Sequence, residues 1–186
     1  MIDQQRIEKA VASIIEATGE DPQREGLRDT PGRVARMYAD FFSGLDEDPR
    51  AVLATGFNEG IHDLVILRDI PFFSICEHHL LPMVGQAHIG YVPNGRVVGA
   101  SKLARALDIL ARRPQIQERL TSHLVEAIQD AIAPDGAGVV IDAEHMCMAL
   151  RGVKKPGSRI VTYATRGDFS AGATTREELL AALDRG

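Results

Sequence analysis

The sequence predicts an α+β fold with mostly antiparallel strand pairing, and three observations carry that prediction. Apolar and polar residues alternate with a period of two in two separate stretches, residues 62–99 and 139–165. Two consecutive runs with helical spacing lie between them. Strands are not followed one by one by helices, so a parallel sheet built from repeated βαβ units is not expected.

Each element has its own signal. Ile7, Val11, Ile14 and Ile15 form one apolar stripe over residues 4–18, and Gly19 ends that helix. A polar connector from Asp21-Pro22 reaches Asp29. Thr30 then caps a second helix, with Pro31 in its first turn and Val34, Met37 and Tyr38 on its apolar side. It runs to about Phe42, and Gly44 closes it. These two helices, residues 1–48, read as an N-terminal extension to the unit formed by residues 49–186. Residues 50–61 look irregular. Leu64, Ile66 and Ile70 mark a strand from His62, a second strand runs from Pro71 into Cys76, and a third spans Val84 to Val92. Pro93-Asn94-Gly95 is a turn before a short strand from Arg96 to Gly99.

The first central helix carries Leu103, Leu107 and Leu110, with Ser101 as its cap. Pro114 opens the second, whose stripe is Ile116, Leu120, Leu124, Ile128 and Ile132, and Pro134-Asp135-Gly136 ends it. Strands follow at Val139–Asp142 and Arg159–Thr165. Thr174 and Glu177 make a capping box for a last helix to about Leu183. One sheet face needs a cover, and in so short a unit oligomerisation helps to supply it.

Composition narrows the function class. At 186 residues with 45% hydrophobic and 25% charged side chains, the chain can build an ordinary globular core. Its net charge of −5 gives no support to a nucleic-acid partner. No apolar run is long enough for a membrane span, and the N-terminus Met1-Ile2-Asp3-Gln4-Gln5 lacks the pattern of a secretory signal. A cytoplasmic location is expected.

The two cysteines, Cys76 and Cys147, both have histidine neighbours. Ser74-Ile75-Cys76-Glu77-His78-His79 places one thiol and two imidazoles within four residues. Glu144-His145-Met146-Cys147 supplies the other thiol and a third imidazole. Thiolate and imidazole together are the ligand set of zinc. Cys76 can pair with His78 along a strand or with His79 across a turn, and spacing does not choose between them. Two thiolates and one imidazole would leave a fourth position for water, which is a catalytic arrangement. The remaining histidines suit proton transfer near neutral pH.

Longer segments carry a family resemblance. Cys76-Glu77-His78-His79-Leu80, Gly99-Ala100-Ser101-Lys102-Leu103-Ala104-Arg105 and Arg113-Pro114-Gln115-Ile116-Gln117-Glu118-Arg119-Leu120 are three of them. His145-Met146-Cys147-Met148-Ala149-Leu150-Arg151-Gly152 and the upstream Glu25-Gly26-Leu27-Arg28-Asp29-Thr30-Pro31-Gly32-Arg33-Val34 complete the set. In this order they resemble GTP cyclohydrolase I across residues 5–185. The resemblance implies the tunnelling fold, in which small sheets from several subunits close into a barrel. It also implies a homodecamer with active sites shared between neighbours.

The resemblance further implies that Cys76, His79 and Cys147 bind zinc and that His78 and His145 transfer protons, with Ser101 assisting. Lys102, Arg105 and Arg151, with Arg33 on a weaker match, become the cations that grip the triphosphate of GTP. Lys102 and Arg105 are three apart on the expected helix and so share a face. Glu118, with Gln117 beside it, becomes the reader of guanine. A carboxylate accepts both N1–H and the exocyclic amine, whereas adenine offers an acceptor at N1. Tyr163 and Asp168 receive no role. The implied reaction opens the guanine ring hydrolytically, releases formate and rebuilds the skeleton as 7,8-dihydroneopterin triphosphate, the first step of tetrahydrofolate and pterin biosynthesis. The zinc base deaminases are excluded, because His-x-Glu and Pro-Cys-x-x-Cys are both missing.

Overall fold

The computed structural model describes residues 1–171 together with Glu177 and Ala181. The final helix expected from Thr174 onward lies outside the described residues except at those two positions. The rest is α+β, as the periodicities predict. Helices α1 (Gln4–Ala17) and α2 (Thr30–Phe41) are followed by a 3₁₀ turn at Ser43–Asp46 and a short α3 (Pro49–Leu53). Strands β1 (Gly56–Ile61), β2 (Val65–Cys76), β3 (Pro82–Val92) and β4 (Gly95–Val98) come next. Then come α4 (Ala100–Ala111), β5 (Pro114–Gln115), α5 (Gln117–Ile132), β6 (Gly136–His145), α6 (Met146–Ala149), β7 (Arg159–Gly167) and α7 (Asp168–Ala171).

The main sheet has the order β5-β2-β3-β6-β7, antiparallel except where β5 runs parallel to the end of β2. Strands β1 and β4 form a separate antiparallel pair. Alternation assigns the faces. Phe72, Ala87, Ile89, Tyr91, Val139 and Ile141 point to one side and are buried. There they pack with Leu103, Leu107 and Leu110 of α4 and Leu120, Leu124 and Ile128 of α5. Burying one such leucine stabilises by about 2 kcal/mol. The Tyr91 hydroxyl accepts a hydrogen bond from the Val98 N–H at 3.1 Å, which ties β4 back to β3. The opposite face is only partly covered among the described residues, with His88 and Val140 buried on it. Val161 and Tyr163 stand there at 61% and 54% exposure.

Several boundaries differ from the expectations for identifiable reasons. The segment 50–61 is not irregular: it holds α3 and β1. A five-residue helix is too short to show a period, and five of the six residues of β1 are exposed, so neither displays an apolar pattern. The two strands expected around Pro71 are one strand, β2. Its register shifts between Leu67 and Ile70, where Asp69 takes a φ of 57°, and this bulge breaks the alternation. Thr30 is the first helical residue rather than the cap; Asp29 occupies the cap position, and its carboxylate pairs with Arg33 at 3.1 Å. Gly44 does not terminate α2. It lets the chain approach α4 closely, since a Cβ there would lie 2.1 Å from the Ile109 carbonyl oxygen. Gly99, not Ser101, precedes α4, and Ser101 is its second residue with no side-chain capping bond. Pro114 does not open α5; with Gln115 it pairs with Ile75 and Cys76, and the helix starts at Gln117.

Candidate active site

The pairing of Pro114-Gln115 with Ile75-Cys76 has a chemical consequence. It sets the first turn of α5 beside the last residue of β2. One rung of the sheet, Ser74–Met83–His145, shows that β2 and β6 reach this edge together. Ser74, Cys76 and His145 share the helix-covered face by parity.

Beyond Cys76 the chain reverses. Leu80 donates to the Cys76 carbonyl at 2.9 Å with a φ of 52°, and the Cys76 N–H bonds to the Leu81 carbonyl at 2.9 Å. This turn swings His79 back over Cys76. At the end of β6 the chain enters α6, which carries Cys147 toward the same point. The donor atoms of Cys76, His79 and Cys147 lie within 4.8 Å of one another. Their sulfurs are 3.8 Å apart, far beyond the roughly 2 Å of a disulfide. Two thiolates about 2.3 Å from a tetrahedral zinc would themselves stand about 3.8 Å apart. The donor set and the spacing therefore fit a zinc ion. His78 lies beside this group, with Nδ1 4.0 Å from the Cys76 sulfur, but its ring is largely exposed.

Electrostatics distinguish the groups. Burial and the adjacent Cys76 push the Cys147 thiol above its usual range. Burial also lowers the basicity of His145, against the opposing pull of the Glu118 carboxylate. An Arg151 guanidinium nitrogen sits 2.8 Å from His79 Nε2. A guanidinium only donates, so that ring nitrogen is the acceptor in this contact. Glu118 lines a cavity of about 390 Å³ with Thr121, Thr162 and Tyr163.

The chain thus gathers Cys76, His78, His79, Gln117, Glu118, His145, Cys147 and Arg151 at one edge. It does not bring Ser101, Lys102 and Arg105 there. The Ser74 hydroxyl bonds to the Ala111 carbonyl at 2.6 Å, so the C-terminal end of α4 meets the site. Ser101 lies ten residues back along that helix, about 15 Å away along its axis. Arg105 lines a different cavity, with Glu47, Asp108 and Arg112. Arg33 is on α2, exposed and paired with Asp29.

Some supporting residues were not singled out from the sequence. Arg119 pairs with Glu77 in the metal turn, and its Nε donates to Gln115 Oε1 at 3.0 Å. The Glu77 N–H bonds to the Gln115 carbonyl at 3.0 Å. Both charges lie inside the matching motifs, so their opposite signs were a visible signal. Thr162, which joins Gln117 and Thr121, left none.

Known proteins resemble this chain over nearly its whole length. A family model described as GTP cyclohydrolase I matches residues 7–184. A GTP cyclohydrolase 1 of Dehalococcoides mccartyi is 55% identical over 185 residues, covering 98% of both chains. That of Streptococcus agalactiae is 51% identical with full coverage of both chains. That of Halalkalibacterium halodurans is 54% identical, covering 98% of this chain and 97% of the relative. Among solved structures, the apo form of an archaeosine synthase QueF-like protein matches with a TM-score of 0.45 and 18% identity, over 56% of this chain and 93% of that one. The family match over nearly the whole chain, with relatives at this identity and coverage, establishes that the chain belongs to the GTP cyclohydrolase I family.

Proposed function

We propose that this chain converts GTP to formate and 7,8-dihydroneopterin triphosphate with zinc held by Cys76, His79 and Cys147. The convergence of two thiols and an imidazole beside His145 carries this reading. When bound, zinc supplies Lewis-acid activation of the water that adds to guanine C8. His145 takes a proton from the attacking water and passes it to N7 as the imidazole ring opens. A second hydrolysis releases C8 as formate. His78, with Ser101, assists ribose opening, and the sugar carbons rearrange and close onto the freed amine. Two waters enter and one leaves at ring closure. Glu118 holds the guanine edge, and its carboxylate acceptors match N1–H and the exocyclic amine.

Lys102 lies near the far end of α4, and Arg105 opens onto a different cavity, so neither faces the metal edge of its own chain. We read the site as composite, with Ser101, Lys102 and Arg105 supplied by a neighbouring copy and Arg151 by the chain that holds the metal. Arg33, on α2, belongs to the extension formed by residues 1–48. The exposed Val161 and Tyr163 on the open sheet face support burial between copies, in a homodecamer. A reducing cytoplasm would keep both thiols available as ligands.

The test is direct. Protein, zinc and GTP are mixed, formate is assayed, and the product is oxidised and examined for pterin fluorescence. Absence of both products from zinc-loaded protein would defeat the reading.

A further inference from the structure

Gln117 was expected to face the substrate, yet it is 1% exposed and both ends of its carboxamide are occupied. Its Nε2 lies 3.0 Å from the Ile141 carbonyl, 2.8 Å from the Ile160 carbonyl and 3.1 Å from Thr162 Oγ1. Backbone carbonyls only accept, so the end that faces two of them must be the NH₂ group. The orientation of this amide, often ambiguous without visible hydrogens, is settled by its partners. The Thr121 hydroxyl donates to the Gln117 backbone carbonyl at 2.8 Å and lies 2.6 Å from Thr162 Oγ1, which closes the network across β6, β7 and α5.

The other end follows by elimination. Gln117 Oε1 lies 2.8 Å from His145 Nε2. An amide oxygen only accepts, so this ring nitrogen must carry a hydrogen.

We infer that Gln117 is a positioning residue that fixes the tautomer of His145, holding the hydrogen on Nε2 and leaving Nδ1 as the nitrogen that exchanges a proton with the substrate. Gln117 then has no free end for guanine, and Glu118 alone reads the base. The inference rests on the proposed ring-opening reaction and adds which atom of His145 acts in it. An imidazole in the wrong tautomer presents N–H where a lone pair is needed, or the reverse.

Two variants separate positioning from bulk support. Gln117→Met keeps the length and removes the carboxamide's hydrogen bonds. Gln117→Glu keeps an acceptor for His145 but turns a carboxylate oxygen toward the Ile141 and Ile160 carbonyls. The methionine variant should lose about 100-fold in kcat, with KM within about threefold and bound zinc unchanged. The glutamate variant should keep kcat within about tenfold of the parent yet melt at a lower temperature than the methionine variant. Opposite rankings in kcat and Tm support the inference. A kcat that follows Tm overturns it, and so does a KM increase with kcat kept, which would make Gln117 a substrate contact.

Neutron diffraction of the deuterated parent protein reads the same point without a substitution. Deuterium on the His145 nitrogen facing Gln117 supports the inference, and a bare nitrogen there overturns it. If the parent makes no formate from GTP, the proposed function fails instead, and the neutron result still reports the tautomer.

Discussion

At its C-terminal end, α4 meets a corner in which the chain answers its own polar groups. Ser74 takes the Ala111 carbonyl and Gln115 Nε2 takes the Leu110 carbonyl at 2.9 Å. Arg119 and Glu77 pair, and Gln117 holds His145. The N-terminal half of the same helix presents Ser101, Lys102 and Arg105, and among the described residues neither cation has an ion-pair partner. The difference is one of completeness. One chain suffices to bring Cys76, His79 and Cys147 together, through strand register, the turn after Cys76 and the short helix α6. Under the proposed function, the triphosphate grip is completed by a neighbouring copy.

The sharpest way to break that comparison is to damage each end separately. Cys147→Ser removes a donor at the self-contained end. Bound zinc, read by elemental analysis, should fall below about a tenth of an equivalent, and turnover should fall at least about a thousandfold. Lys102→Ala with Arg105→Ala should leave zinc stoichiometric while raising KM for GTP by about tenfold or more. If the cation variant also lost its metal, the two ends would not be independent.

Mixing the damaged chains tests whether the ends come from different copies. Assayed at GTP well below KM, co-expressed Cys147→Ser chains and Lys102→Ala/Arg105→Ala chains should form mixed oligomers with about a quarter of parental activity, the share of interfaces that unite two intact halves. Each chain alone should show little. A mixture no more active than its better component would mean that each chain serves its own metal, against the composite reading.

The legibility of the two ends differed in the same way. The periodic runs and the two helices between them were plain in the sequence, since burial on one face leaves a pattern. β1 left none, because it is mostly exposed and pairs only with β4. The bulge at Asp69 made one strand look like two. At the metal edge, residue types in two segments announced the candidate ligands. The choice between His78 and His79 depended on the turn after Cys76, which spacing cannot reveal. Gln117 was harder still. Its partners are carbonyls on β6 and β7, and nothing at position 117 records their register. Nor does the order of Cys76, Ser101 and Glu118 along the chain tell that α4 carries the middle member away from the others.

A smaller effect sharpens the account of the closed end. Glu77 and Arg119 hold the metal turn against the start of α5 from a partly exposed position, so their pairing acts on the ligands at one remove. Glu77→Gln should speed zinc loss to a competing chelator by about tenfold, as expected for a residue behind the ligands. The melting temperature should drop by only a few degrees. An unchanged loss rate would reduce the pair to a surface ion pair with no hold on the turn.

A buried group on the open face that the chain satisfies itself carries the smallest effect. His88 on β3 is 9% exposed, and its Nδ1 accepts the Asp69 N–H of the bulge at 3.1 Å. Burial lowers its basicity, with Arg68 acting in the same direction and Asp69 and Asp142 opposing. The neutral ring is therefore favoured in the folded state, whereas the unfolded chain takes up a proton near pH 6.5. Above that value neither state is protonated and the contribution is fully present. As pH falls through about 6.5 toward the folded value, the unfolded state gains protons first and stability drops, by at most about 1.4 kcal/mol per pH unit. Below the folded value both states are protonated and the loss stops. His88→Asn keeps an acceptor for the Asp69 N–H and cannot titrate. Between pH 7.5 and 5.5 its urea midpoint should shift less than the parent's, while His145 contributes equally to both proteins. Equal shifts would mean that His88 is not held neutral, and that even at the bulge the open face depends on a neighbour to be complete.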